Sequence, residues 1–165
     1  LYGEEGNDQL VGGSGNDIIG GGTGDDTISS GGGNDTIGAG DDNDSVDAGA
    51  GSDFLGGGAG NDTLNGGTGM DTLNGGHGND RLSGGADADL FIFNAFNASG
   101  STTVTDFEVG LDTLRLVGVN LGADPLITLN ITDTAAGAVV DYGPHTITLN
   151  GVQEADLSAD DILFT

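Results

Sequence analysis

The chain has 165 residues, enough for one domain or one elongated repeat unit with a small cap. Only 2 Lys and Arg stand against 27 Asp and Glu, a formal charge of −25, which excludes nucleic acid and anionic membrane surfaces as partners and points to a cation instead. The sequence has no cysteine, hence no disulfide framework and no Cys-based zinc or redox site, and no apolar run of about 18 residues that would form a membrane-spanning helix.

The chain opens at LYGEEGND without a signal-peptide pattern and already inside a repeat, so it reads as a fragment of something longer. From Gly3 to Ile92 run ten unbroken nonamers: GEEGNDQLV, GGSGNDIIG, GGTGDDTIS, SGGGNDTIG, AGDDNDSVD, AGAGSDFLG, GGAGNDTLN, GGTGMDTLN, GGHGNDRLS and GGADADLFI. The sixth position is always Asp: Asp8, Asp17, Asp26, Asp35, Asp44, Asp53, Asp62, Asp71, Asp80 and Asp89. The eighth is always apolar, from Leu10 and Ile19 to Leu82 and Phe91.

A three-residue strand around the eighth position points that side chain inward and its two neighbours outward, and the outer positions are polar at Thr27, Ser29, Thr63, Asn65, Thr72 and Asn74. One such strand cannot fold alone, but stacked repeats build a thin continuous core. The intervening six-residue loop needs glycine for positive φ. Two nonamers make one coil of about 18 residues, so loop n stacks on loop n+2. Each edge then carries carboxylates about 4.8 Å apart, one strand spacing. Uncompensated, these columns oppose folding. Calcium suits the gap, because it takes six to eight oxygen ligands in tolerant geometry; magnesium demands a stricter octahedron, and zinc prefers the nearly absent His and Cys. Without calcium the tract reads as acidic and disordered.

Beyond residue 92 glycine thins out. TLRLVGV at 113–119, LITLNIT at 126–132, AVVDY at 138–142 and HTITLNGV at 145–152 read as strands, the alternation being clearest at Ile127, Leu129, Ile131, Ile147 and Leu149. Turn signals at 122–125 and 142–144 separate them, and EADLSADDILF near the end reads as one helical turn before a last strand. His145 reads as a surface strand residue and His77 as a variable loop position. No HExxH, GxSxG or EF-hand spacing is present, so nothing here points to an enzyme.

The GGxGxDxUx beat resembles the RTX, or haemolysin-type, calcium-binding nonapeptide family over somewhat more than half of the chain. The resemblance implies an all-β fold: a right-handed parallel β-roll of about ten nonapeptides over residues 1–92, followed by a small C-terminal β cap and secretion-signal region over 93–165. It implies that each calcium lies between loops n and n+2, held by second- and fourth-position carbonyls and the Asp of one, and first- and third-position carbonyls and the Asp of the other. Gly58, Gly60 and Asp62 would thus meet Gly75, His77 and Asp80, and Gly49, Gly51 and Asp53 would meet Gly66, Thr68 and Asp71.

Carried along the tract, the implied metal residues begin with Gly6 and Asp8, then Gly13, Gly15 and Asp17, then Gly21, Gly22, Thr23, Gly24 and Asp26. The fourth and fifth repeats bring Ser30, Gly31, Gly32, Gly33 and Asp35, and Ala39, Gly40, Asp41, Asp42 and Asp44. The sixth and seventh bring Ala48, Gly49, Ala50, Gly51 and Asp53, and Gly57, Gly58, Ala59, Gly60 and Asp62. The last three bring Gly66, Gly67, Thr68, Gly69 and Asp71, then Gly75, Gly76, His77, Gly78 and Asp80, and finally Gly84, Ala86 and Asp89. About eight calcium ions follow, taking the formal charge from −25 to about −9. Glu4, Asp42 and Asp87 depart from the expected glycines.

The segment GGADADLFIF followed by TVTDFEVGLDTLRLVGV is similar to the end of the roll and the cap in serralysin-type secreted metalloproteases and alginate epimerase R-modules. DLSADDILFT resembles the C-terminal export signal of type I secretion substrates. Leu90 and Ile92 interrupt the polar outer pattern as if covered by the cap, and Asp106 with Asp112 suggests one more calcium site at the junction. The function implied is a non-catalytic, monomeric calcium-binding module of a secreted, extracellular bacterial protein, folding on calcium after passage through type I secretion machinery; any enzyme would lie in a missing N-terminal part. The second reading is a polysaccharide-binding module for an acidic polysaccharide, for which Arg81 and Arg115 supply too little positive charge unless calcium bridges. An adhesin or ice-binding face is a third, disfavoured because third-position threonines occur only at Thr23 and Thr68.

Overall fold

Alternation of inward and outward residues lays down strand after strand in the computed structural model, which describes residues 1–94, 100–118, 130–142 and 145–165. The repeat tract holds β1 (Tyr2–Glu5), β2 (Gln9–Ser14), β3 (Ile18–Thr23), β4 (Thr27–Gly32), β5 (Thr36–Asp41), β6 (Ser45–Ala50), β7 (Phe54–Ala59), β8 (Thr63–Thr68), β9 (Thr72–His77), β10 (Arg81–Ala86) and β11 (Leu90–Asn94). Pairing is parallel at a constant offset of 18 residues, so Leu10 faces Ile28 and Ile28 faces Val46, while Ile19 faces Ile37 and Ile37 faces Leu55. Odd-numbered strands therefore form one sheet and even-numbered strands the other, and the chain winds between them as a parallel β-roll of about five turns.

The strands are twice the expected length. Parallel pairing runs on through the first three positions of the following nonamer, as Gly22 with Gly40 and Thr23 with Asp41. The identical offset keeps these glycine-rich backbones in register, and their small side chains leave the amides free to bond; the loop shrinks to positions four to six. A period of two over this longer strand places positions six, eight and one on the inner face. The first position thus belongs to the interior, and Ser30, Ala39 and Ala48 are fully buried there beside the aliphatic column. Ile28, Ile37, Leu55, Leu64, Leu73 and Leu82 fill that column with almost no exposed surface.

The two sheets extend past residue 92. Strand β12 (Gly100–Val104) continues from β10 with Leu82 facing Val104, and β13 (Thr113–Val117) continues from β11 with Phe91 facing Leu114. The offset grows because the connecting segments are longer, yet the aliphatic column is preserved. Strand β16 (His145–Asn150) then pairs parallel to β12, and β15 (Gly137–Tyr142) and β14 (Asn130–Asp133) follow it as an antiparallel edge. The expected helical turn is a single 3-10 turn at Glu154–Asp156, and β17 (Ile162–Phe164) closes the other sheet against β13. Of the run at 126–132, residues 126–129 with Ile127 and Leu129 lie outside the described residues, as do the turn signal at 122–125 and the GP of the other at 143–144.

Substituting Leu64, which is 1 % exposed, by Ala should lower stability by about 2–5 kcal/mol. Substituting the exposed neighbour Thr63 should cost about 0.5 kcal/mol or less. Urea unfolding of both variants at one fixed calcium concentration checks this.

Candidate metal centre

Each sixth-position aspartate stands just before its strand, on the inward side, because it lies two residues from the buried aliphatic residue. From Asp26 to Asp89 these side chains are 1–3 % exposed; Asp8 and Asp17, in the first coil, are half-buried. One carboxylate oxygen, Oδ1, accepts the backbone N–H of the aspartate one coil earlier. The contacts are Asp26 to Asp44 at 2.8 Å, Asp35 to Asp53 at 2.7 Å, Asp44 to Asp62 at 2.9 Å, Asp53 to Asp71 at 2.8 Å and Asp71 to Asp89 at 2.9 Å, the donor named first. The other oxygen is different: Oδ2 of Asp8, Asp17, Asp26, Asp35, Asp44, Asp53, Asp62, Asp71 and Asp89 is buried with no hydrogen-bond partner. A buried unpaired carboxylate oxygen is costly, and two columns of them are untenable unless something positive faces them.

Backbone oxygens converge on the same places. A methyl group built on Gly12 would sit 2.6 Å from Asp17 Oδ2 and 2.6 Å from the carbonyl oxygen of Ser30, one coil on. Built on Gly57 it would strike Asp62 Oδ2 and the carbonyl of Gly75, and on Gly66 it would strike Asp71 Oδ2 with the Gly84 carbonyl 2.7 Å away. The carboxylate of one loop and the first-position carbonyl of the loop two further thus border one cradle. Most third-position carbonyls accept a fourth-position amide, as Ala50 from Gly33 at 2.8 Å and His77 from Gly60 at 2.9 Å, which leaves those carbonyls one lone pair. Positions two and four hold positive φ throughout, and where glycine is missing Glu4, Asp42 and Asp87 still adopt φ of 77–79°. Among the described residues no three His, Cys, Asp or Glu side chains form a metal cluster. Any ion here is therefore held by pairs of carboxylates completed by carbonyls. An all-oxygen, partly anionic set of this kind fits a hard cation of flexible coordination, calcium before magnesium, and not zinc.

A second ladder, not anticipated from the sequence, runs outside the first. The fifth-position side chain accepts the amide of its counterpart one coil later: Asn34 donates to Asn16 Oδ1 at 2.8 Å, Asn61 to Asn43 at 2.9 Å, Asn79 to Asn61 at 2.9 Å and Ser101 to Asn79 at 3.0 Å. The recurrent Asn before Asp was the visible signal. These bonds tie successive loops independently of any ion.

His145 requires correction. Expected on the surface, it is 1 % exposed, because β16 lies between β12 and β15 and its alternation turns His145 inward. Its Nε2 lies 3.0 Å from Thr102 Oγ1, its ring is 5.5 Å from Phe93, and burial lowers its pKa. His77 is exposed, as expected for a loop position. Asp106 and Asp112 both meet the tenth loop in different roles. Asp106 accepts the Ser83 hydroxyl at 2.6 Å and the amides of Gly84 and Gly85 at 3.1 and 3.0 Å. Asp112 accepts the Asp89 amide at 2.9 Å.

Burial pushes the carboxyl pKa up to about 6 at Asp44 and Asp71 and about 7 at Asp62 and Asp89; amide hydrogen bonds oppose this, and the neighbouring carboxylates of the column add to it. Asp53, Asp80 and Asp112 are raised as well, again chiefly by burial. A raised folded pKa means that the folded metal-free chain binds protons more tightly than the unfolded one. That contribution is fully present below about pH 4 and is lost as pH rises through 6–7. In EDTA, β-structure followed by circular dichroism should therefore decrease as pH rises from 4 to 8. With calcium present the trend should invert between pH 6 and 8, because the sites require ionised carboxylates.

A family model described as RTX calcium-binding nonapeptide repeat (4 copies) matches residues 1–19, 20–55 and 56–91, more than half of the chain. Among curated proteins no sequence matches. The crystal structure of the extracellular lipase LipA from Serratia marcescens is similar over 97 % of this chain, at 21 % identity and a TM-score of 0.54, and the chain spans 38 % of that lipase. The solution structure of the AlgE6R3 subunit from the Azotobacter vinelandii mannuronan C5-epimerase aligns with 98 % of this chain and 80 % of its own, at 24 % identity and a TM-score of 0.39.

Proposed function

Because the chain belongs to the RTX calcium-binding nonapeptide repeat family, we propose that it is the calcium-folded module of a larger exported protein. On this reading residues 1–92 are the calcium-binding roll, and residues 93–165 are its cap and the type I secretion region. The observation that carries the proposal is the set of nine buried Asp Oδ2 atoms without partners, stacked along the loops. Bound calcium would supply the positive charge that makes these columns tolerable.

The chain's own groups do the rest. Asp62 and Asp80, with the carbonyls of Gly58, Gly60, Gly75 and His77, form one holding set; Asp53 and Asp71, with those of Gly49, Gly51, Gly66 and Thr68, form another. The same pattern repeated over ten loops makes about eight sites. Each internal aspartate borders two of them, so ordering one loop positions a ligand of the next, and folding is cooperative. In cytosol, where calcium lies far below the roughly 10⁻⁴–10⁻³ M affinity of extracellular modules, the carboxylate columns repel and keep the chain extended for export. Outside the cell, binding free energy becomes folding free energy. The sheets that continue into β12, β13 and β17 close the far end of the roll, where unpaired strand edges would otherwise invite association. The module itself is monomeric and non-catalytic, and chemistry belongs to the part of the protein to which it is joined.

A calcium titration from EDTA, followed by far-ultraviolet circular dichroism with magnesium as control, tests this. A steep rise in β-signal with calcium alone is expected. A chain already folded in EDTA at pH 8, or equally responsive to magnesium, would overturn the reading. Asp62→Ala and Asp71→Ala should each raise the calcium midpoint about 10-fold or more, since each removes a carboxylate bordering two sites.

A further inference from the structure

The cation cradles along the roll are not equal. Each is bordered by the first position of its own loop, and that position is glycine in some repeats and not in others. Gly3, Gly12, Gly21, Gly57 and Gly66 leave the space open. A methyl group built on Gly3 would stand 2.6 Å from both Asp8 Oδ2 and the Gly21 carbonyl oxygen, and on Gly12 it would stand 2.6 Å from both Asp17 Oδ2 and the Ser30 carbonyl oxygen. On Gly21 it would strike Asp26 Oδ2 and the Ala39 carbonyl, and on Gly57 it would strike Asp62 Oδ2 and the Gly75 carbonyl. The space that a β-carbon would take is the space on which the carboxylate and the carbonyl converge.

Three consecutive repeats do carry a β-carbon there. Ser30, Ala39 and Ala48 hold the first positions of the fourth, fifth and sixth nonapeptides, and all three are fully buried. The 18-residue register sets them in the cradles of Asp35 with the Ala48 carbonyl, Asp44 with the Gly57 carbonyl and Asp53 with the Gly66 carbonyl. A β-carbon does not approach another atom closer than about 3.0 Å, so in these cradles the oxygens must stand back from it. Ser30 adds a hydroxyl that donates to the Ala48 carbonyl at 2.8 Å and takes up one of its lone pairs. The charge is the same as elsewhere: Asp35, Asp44 and Asp53 each keep a buried Oδ2 without a partner, as Asp26, Asp62 and Asp71 do. The ladder bonds are the same too, at 2.8 Å both from Asp26 to Asp44 and from Asp53 to Asp71. The difference is room.

Resting on the calcium reading above, we propose that the first-position side chain grades the calcium sites: the cradles at Ser30, Ala39 and Ala48 bind calcium about 10-fold more weakly than those bordered by glycine. Calcium needs six or more oxygens at about 2.3–2.6 Å. A β-carbon that holds a carboxylate and a carbonyl back weakens that set without removing charge. The three weak sites are contiguous, and they join loops four to eight. The roll is therefore held most firmly at its two ends, and its middle releases calcium first.

Crystals of the wild-type chain grown in saturating calcium and equilibrated against falling calcium test this. Anomalous density between Asp35 and Asp53, between Asp44 and Asp62 and between Asp53 and Asp71 should fade at about 10-fold higher calcium than density between Asp17 and Asp35 or between Asp62 and Asp80. In Ala48→Gly the density between Asp53 and Asp71 should persist as long as that between Asp62 and Asp80. In Gly57→Ala the density between Asp62 and Asp80 should fade early. A glycine acting only through the backbone would loosen its strand and would not strengthen the density of one ion. Density that fades at one calcium concentration at every site, or that neither variant moves, overturns the grading and leaves the calcium reading intact. No density at any loop overturns the calcium reading itself. If Gly57→Ala fails to fold, the wild type and Ala48→Gly decide.

Discussion

Repulsion between carboxylates stacked one strand spacing apart is the constraint on which the rest of this structure depends. Parallel pairing at an 18-residue offset brings every aspartate onto its counterpart. The backbone takes up half of the problem by donating an amide to one oxygen of each carboxylate. The other oxygen remains buried and unanswered at nine positions, which makes the metal-free fold a poor resting state at neutral pH. A protein built this way has its stability controlled from outside, by whatever supplies the missing charge.

The same period of two that builds the core also builds the cation cradle. Position eight points inward and is aliphatic. Position six, two residues earlier, points the same way and carries the carboxylate. Position one, two residues later, must then be small, as Ser30, Ala39 and Ala48 are. Core and metal centre are therefore adjacent columns of one face, and neither forms without the other. The asparagine ladder outside them is independent of charge and fixes the register in which both columns assemble.

Termination of the columns matters as much as their repetition. A stack of unsatisfied carboxylates that simply stopped would leave a buried charge at its end. Thr102, backed by His145, resolves this on one edge with a hydroxyl, and Asp112 on the other extends the column into the region after the repeats. The cap is thus continuous with the roll in its sheets and joined to it at its polar edges.

The strict beat of Asp and an aliphatic residue was sufficient by itself to determine the inward column, the coil of two nonamers and the stacking of loop n on loop n+2, because each follows from local periodicity; the parallel β-roll was what the family resemblance implied, and the structure shows it. Strand length was less legible: glycines at positions one to three suggest loop, and only pairing between coils shows that their amides continue the ladder. Past Ile92 the periodicity disappears, so nothing local marks Thr102 or the burial of His145, and Asp112 was legible beside Asp106 but not as the residue that succeeds Asp89 in the column. Val104 and Leu114 fall onto the aliphatic columns at offsets of 22 and 23 residues rather than 18. That register is a property of the assembled sheets. It alone decides which residue succeeds Asp80 and which succeeds Asp89, because in a parallel sheet the neighbour across the strand is chosen by three-dimensional pairing and not by distance along the chain.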